Sequence, residues 1–273
     1  MHCLLLQTLE DKMKAGISTA CLYPMLVEEA LHAIAMRNVK HAEIFINTDC
    51  ELYPPIMTRL KEIVAEYDMK ITSLHPYTCG IEPMMLFTEY PRRIADITEY
   101  YKRFFNVMNE FGARIFVLHG NKADNAMCNE RAYERYALLA DVGDEFGVTV
   151  AQENVSRCSS GKLEYLKGMS DYLGDRAAFV LDTKQALRAG ESALNILQTL
   201  GKRVVHIHYS DSGEQSDCMM YKQGSFDNKA FFDELKRLDF HGRIILELYR
   251  NAFADIDSLT DNYRLMSNDL KEY

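Results

Sequence analysis

The chain has 273 residues, of which 48% are hydrophobic, enough for one large domain with a sizeable core. Acidic residues outnumber basic ones, 40 to 31, and the net charge of -9 leaves no global attraction for a nucleic acid or another polyanion. No apolar run approaches the roughly 18 residues that a membrane span requires, so the composition excludes a helical membrane protein as well.

Met1 to Lys14 contains Leu4, Leu5 and Leu6 but neither a cationic start nor a small-residue cleavage site, so a secretory leader is not expected. This stretch reads as an N-terminal extension, residues 1–14, which either caps a barrel floor or precedes a true start at Met13. Seven cysteines without a C-x-x-C pair read as reduced thiols of a cytoplasmic protein rather than a disulfide framework. Cys21, Cys79, Cys158 and Cys218 follow predicted strands, and small buried or loop positions account for them.

Strand and helix then alternate. The first strand, Ala15 to Ala20, leads to a helix expected to start near Pro24, with Val27, Ala30, Leu31 and Ile34 on one face. Glu43 to Asn47 is the second strand, followed by a helix striped with Ile56, Leu60, Ile63, Val64 and Tyr67. The third strand, Ile71 to His75, opens a loop to about Tyr90, longer than an ordinary connection and therefore a candidate lid. Ile94, Ile97, Tyr101, Phe104, Met108 and Phe111 mark the next helix as a packed one, and strand four runs from Ile115 to His119.

A helix from about Asn129 to Phe146 ends at Gly147, a residue suited to a helix C-terminus. Strand five, Val148 to Glu153, is followed by a helix near Leu163 to Leu173, strand six ending at Asp182, a helix with Leu194, Leu197 and Leu200, and strand seven, Val204 to His208. A second long loop, Tyr209 to Phe226, precedes Asp227, which is placed to cap a helix carrying Phe231, Leu235 and Leu238. Strand eight closes at Glu247, and Phe253, Ile256, Leu259, Tyr263 and Met266 stripe the last helix. Eight strand-helix units over residues 15–273, without a linker or low-complexity segment, give a single-domain (β/α)8 barrel.

Every strand from the third onward, in this reading, ends in a residue able to bind a metal: His75, His119, Glu153, Asp182, His208 and Glu247. Side chains alternate along a strand, so Glu153 shares its face with Ala151 and Thr149, Asp182 with Val180, and Glu247 with Ile245, while Val150, Leu181 and Leu246 point to the helices. One such acid alone is an ordinary cap or loop residue, and His206, one layer below His208, reads as a hydrogen-bonded core imidazole. Three acids crowded on one rim repel unless a cation neutralises them. Glu153, Asp182, His208 and Glu247 form an oxygen-rich set suited to Mn2+, Mg2+ or Co2+, and His75 with His119 would add a nitrogen-rich position favouring Zn2+. Lys184, Arg188, Lys222 and Arg250 follow strands six to eight and could meet a phosphate or carboxylate, although surface solvation suits Arg188 better.

The motifs S-L-H-P, V-L-H-G, Q-E-N-V-S-R, L-D-T-K-Q-A, H-I-H-Y-S-D and I-L-E-L, in this order, resemble the xylose isomerase-like TIM barrels, which include sugar phosphate isomerases and epimerases and endonuclease IV. The resemblance runs from Ala15 to the C-terminus. It implies a divalent metal held by Glu153, Asp182, His208 and Glu247, and an epimerase-type role for Glu153 and Glu247 as the acid and base on opposite faces of a substrate carbon. Arg157 resembles the arginine of the family's E-x-x-x-R stretch, and Asn154, Lys184, Gln185, Lys222 and Arg250 complete the candidate substrate contacts. The expected substrate is a small sugar or sugar phosphate, and a homo-oligomer is compatible with the reading.

Three departures separate this chain from the best-known relatives. Gln185 stands where they carry the histidine of D-x-x-H, Glu214 where ketose 3-epimerases have an arginine, and the G-x-G-x-x-D stretch lacks its first glycine, leaving Gly224 and Asp227. The alternatives are an endonuclease IV-like zinc phosphodiesterase acting on abasic DNA, to which His75, His119 and Glu153 would contribute, and a barrel that binds sugar without turnover. Asp217 is followed by Cys218 and Met219, so the D-x-H pair of a three-metal nuclease is missing.

Overall fold

A computed structural model describes residues 13–273; the expected cap formed by the extension falls on residues 1–12, outside the described residues. Eight parallel strands close into a barrel: β1 (Lys14–Ser18), β2 (His41–Ile46), β3 (Lys70–Pro76), β4 (Ile115–Leu118), β5 (Thr149–Glu153), β6 (Phe179–Asp182), β7 (Val204–Tyr209) and β10 (Arg243–Leu246), with β1 pairing β10. Because all are parallel and neighbours in space follow the chain order, every strand's carboxyl end lies on one rim.

The alternation of side chains produces two layers. Phe116, Leu118, Val150, Leu181, Ile207 and Leu246 join the large apolar cluster between strands and helices, while Val117, Ala151, Ala178 and Val180 form a separate small cluster inside the barrel. Close packing sets residue size at β1: a side chain on Gly16 would meet the backbone oxygen of His41 at 2.9 Å.

The helices are α1 (Val27–Ala35), α2 (Ile56–Glu66), α3 (Glu82–Met85), α4 (Pro91–Phe111), α5 (Asn129–Glu145), α6 (Leu163–Leu173), α7 (Thr183–Arg188), α8 (Ala193–Leu200), α9 (Asn228–Arg237) and α10 (Ile256–Asp269). Of the expected stripe in α4, Ile94, Ile97, Tyr101, Phe104 and Met108 are buried and Phe111 is half-buried; Pro91 opens the helix and Gly112, at φ 70°, follows it. Asp227 accepts the Ala230 backbone N–H and caps α9.

Two expectations are corrected. The first helix begins at Val27 rather than near Pro24, because a 3-10 turn over Thr19–Leu22 and an extended Leu26 intervene. The long loops also carry structure of their own: α3 lies in the loop after β3, and the loop after β7 folds into an antiparallel hairpin, β8 (Asp211–Gly213) and β9 (Ser216–Met219). Among the described residues no helix is long and apolar enough to cross a membrane.

Candidate metal centre and cavity

Glu153 and Asp182 are the last residues of β5 and β6, His208 lies in β7, and Glu247 directly follows β10, its backbone N–H donating to Tyr209 O at 3.1 Å. Glu153, Asp182 and His208 are buried, and the Glu247 side chain is 13% exposed. His208 Nδ1 stands between the two glutamates, 3.1 Å from Glu153 Oε1 and 3.7 Å from Glu247 Oε2. One ligand atom from each of the four residues lies within 4.8 Å of the others, a spacing that a single ion can bridge.

His75 and His119 meet on the same side, with Nε2 to Nε2 at 2.8 Å, and together with Glu153 they offer a second group of ligand atoms within the same 4.8 Å limit. His119 Nδ1 is turned to Glu82 Oε1 at 3.1 Å, and the other oxygen of Glu82 accepts the Gly120 N–H at 2.7 Å. His75 Nδ1 is buried without a well-directed hydrogen bond; its nearest oxygens are Glu247 Oε1 at 3.3 Å and Glu43 Oε1 at 3.5 Å, and that Glu43 oxygen also lacks a hydrogen bond. Buried polar atoms left unmatched beside a crowded acidic set are suited to holding a cation. The donor chemistry and the spacing therefore fit a divalent ion.

Three residues of this network were not among the expected site residues. Glu43, on the interior face of β2, places Oε2 at 2.9 Å from His208 Nε2, 2.8 Å from Ser73 Oγ and 3.3 Å from His206 Nε2. A lone acid inside the apolar run His41–Ile46 was the available clue to it, since its parity faces the barrel axis. Ser73 bridges Glu43 and His206 from β3, and Glu82 comes from α3, where nothing in Ile81–Met85 forecasts a contact with strand four.

Burial opposes charge throughout this centre, but the partners decide the outcome. At His208 the carboxylates of Glu43, Glu247 and Glu153 outweigh burial and hold the imidazole well above its ordinary pKa. Burial is likewise overcome at His75, where contacts with Glu247 and Glu43 lift the pKa to about 10. His206 goes the other way, because burial lowers its pKa and Glu43 only partly compensates. Burial raises Asp182 to about 6 against the pull of Lys184, whereas Glu43 is held well below the usual carboxylate range by its three histidine neighbours despite full burial.

A cavity of about 450 Å³ opens over this rim. Glu153, Glu247, His75 and His119 reach it from below, Tyr23, Phe45, Tyr77 and Tyr249 supply aromatic walls, and Arg157, Lys184 and Gln185 bring polar groups. Asn154 does not line it: its side chain accepts the Asp182 N–H at 2.6 Å and donates to Asp182 O at 3.0 Å, tying β5 to β6. Lys222 pairs with Asp269 at 2.6 Å and Arg250 donates to Phe253 O at 3.0 Å, both outside the cavity lining. Gln185 has its acceptor occupied, taking the Ser156 N–H at 3.0 Å and the Ser156 hydroxyl at 2.8 Å.

Fold and rim together define a (β/α)8 barrel with an acidic, histidine-containing centre at the carboxyl ends of its strands. A model of the xylose isomerase-like TIM barrel matches residues 33–266, and the chain belongs to that family. It is 21% identical to an uncharacterized protein of Mycobacterium leprae, over 95% of this chain and 96% of the relative. Among solved structures it is similar to the D-allulose 3-epimerase of Methylomonas sp., crystallised with D-allulose, with a TM-score of 0.77, 16% identity, and coverage of 95% of this chain and 97% of that one. The 3-keto-D-glucoside 4-epimerase of E. coli superposes with a TM-score of 0.72 and 15% identity over 96% of this chain and all (100%) of the other.

Proposed function

We propose that the protein is a divalent-metal-dependent isomerase or epimerase of a small sugar or sugar phosphate. The observation that carries this reading is that Glu153 and Glu247 both line one cavity and both face His208 Nδ1, at 3.1 and 3.7 Å. Glu153, Asp182, Glu247 and His208 Nδ1 would hold a Mn2+, Mg2+ or Co2+ ion, with His75, His119 and Glu153 as a second, zinc-favouring position. Such an ion polarises a substrate carbonyl and so acidifies the neighbouring C–H.

The chain's own groups do the proton work. One glutamate takes the proton from the carbon beside the carbonyl, giving an enediolate, and the other returns a proton to the opposite face or to the neighbouring carbon. Lys184, Arg157 and Gln185 line the approach, and the aromatic walls limit water around the reacting carbon. Similarity to sugar epimerases in fold supports the same substrate class, and the free thiols of the described cysteines fit a cytoplasmic setting.

The phosphodiesterase reading is disfavoured by particular residues. Gln185 is committed to Ser156, and Asp217, 2.5 Å from Arg188 Nε, is taken by an ion pair. Solvent-deuterium incorporation into a panel of ketoses and their phosphates tests the proposal. Glu153→Gln and Glu247→Gln are each expected to abolish exchange while the folded circular-dichroism spectrum persists; exchange retained in both variants rejects the assignment.

A further inference from the structure

Lys184 lies two residues beyond Asp182, in the first turn of α7, and is only 4% exposed. An ammonium so deeply buried requires compensation by charges and hydrogen bonds. Its Nζ stands 3.1 Å from Asp182 Oδ2 and 3.0 Å from Glu247 Oε2, and 5.3 Å above the ring of Tyr249. The lysine therefore bridges two of the three carboxylates in the four-residue centre.

The particular oxygens matter. Asp182 Oδ1 already accepts the Gln185 N–H at 2.8 Å, capping α7, so Oδ2 is the oxygen left for an ion. At Glu247 the oxygen nearer His208 Nδ1 is Oε2, at 3.7 Å, whereas Oε1 faces His75. These two atoms, Oδ2 and Oε2, are the pair that Lys184 holds. A dication bound by Asp182, Glu247 and His208 and an ammonium in contact with the same two oxygens repel at short range and compete for the same lone pairs.

The ammonium has a place to go. Lys184 lines the cavity together with Arg157, whose guanidinium makes no hydrogen bond or ion pair among the described residues. The first turn of α7 and the loop carrying Arg157 are fixed to each other next door, where Ser156 donates twice to Gln185. We propose that Lys184 is an internal counter-cation that competes with the divalent ion for Asp182 and Glu247, and that ion entry turns its ammonium into the cavity, where it pairs with Arg157 to receive a carboxylate or phosphate of the substrate. The inference rests on the metal-dependent reading of the site and adds an order of events, with ion first and anion second.

Calorimetric titration of Mn2+ into wild type, Lys184→Met and Lys184→Gln tests the competition without any substrate. Both variants are expected to bind Mn2+ more tightly than wild type, by roughly tenfold or more, the size of a coupling between neighbouring sites. Equal or weaker binding in the variants overturns the inference and leaves the metal reading standing; no Mn2+ bound by any of the three proteins overturns both. Wild-type protein supplies a second readout that needs no substitution. Acetylation of Lys184 mapped by mass spectrometry is expected to rise several-fold on adding Mn2+ and to fall again with inorganic phosphate or with a simple carboxylate such as acetate, the two probes separating the two anions. Labelling that Mn2+ leaves unchanged, or that neither anion suppresses, overturns the proposed release of the ammonium into an anion site.

Discussion

Glu43 Oε2 lies 2.9 Å from His208 Nε2, and this contact turns the other ring nitrogen, Nδ1, toward Glu153 Oε1 at 3.1 Å. An ionised carboxylate only accepts, so Nε2 keeps its proton against Glu43, and Nδ1, which gives up its proton to Glu153 or to solvent when an ion binds, is the nitrogen that would present a lone pair. Glu43→Gln weakens this orientation without removing volume. Mn2+ affinity is expected to fall by about 10- to 100-fold, the usual effect of losing a carboxylate behind a ligating histidine. An unchanged dissociation constant by titration would show that the ring is held by packing alone.

Gln185, where the family resemblance leads one to expect an imidazole, works here as a fastener between the first turn of α7 and the loop after β5. In Gln185→Ala the Ser156 N–H and hydroxyl both lose their acceptor. A loss of about 1–2 kcal/mol in urea unfolding is expected, since each such bond contributes about 0.5–1.5 kcal/mol net. If Gln185 were instead a dispensable rim residue, the unfolding midpoint would not move.

The thiols divide by environment. Burial pushes Cys21 and Cys158 up to about 12 and also raises Cys218, while Cys50 and Cys128 are exposed. Alkylation at pH 8, read by peptide mass spectrometry, is expected to modify Cys50 and Cys128 within minutes and to spare Cys21 and Cys158 until denaturant is added. Early labelling of Cys21, whose Sγ contacts Leu246 O and the Leu248 N–H beneath the rim, would contradict the packing of β1 on β10.

At the opposite end of the barrel, burial and the cations Arg243, Lys14 and Lys70 lower His41 to about 4. Its unfolded value is about 6.5, so between pH 6.5 and 4 the unfolded chain takes up a proton that the folded chain refuses. The stability owed to neutral His41 is thus complete above pH 6.5 and lost as pH falls toward 4. His41→Asn is expected to flatten that part of the stability curve relative to wild type in urea titrations at stepped pH; parallel curves would place the acid sensitivity elsewhere.

The chain by itself determined the architecture and the outline of the centre. Alternating apolar strands and amphipathic helices specify β5 and α6 to within a residue, because local periodicity encodes which face each side chain takes. The same parity put Glu153, Asp182, His208 and Glu247 on one rim, since each lies within a residue of the end of its strand and all parallel strands of a barrel end together. Only the tertiary structure decided who touches whom around that rim. Glu82 reaches His119 across 37 positions of the chain and Glu43 reaches His208 across 165, and no local pattern records such pairs. Lys222 left the site for the same reason: position after a strand sets the rim, but its partner Asp269 is brought near by the packing of the last helix, whereas Arg250 is held by Phe253 O only three residues on. Periodicity follows from backbone geometry and is written in neighbours, whereas contacts between loops depend on the closure of the whole barrel.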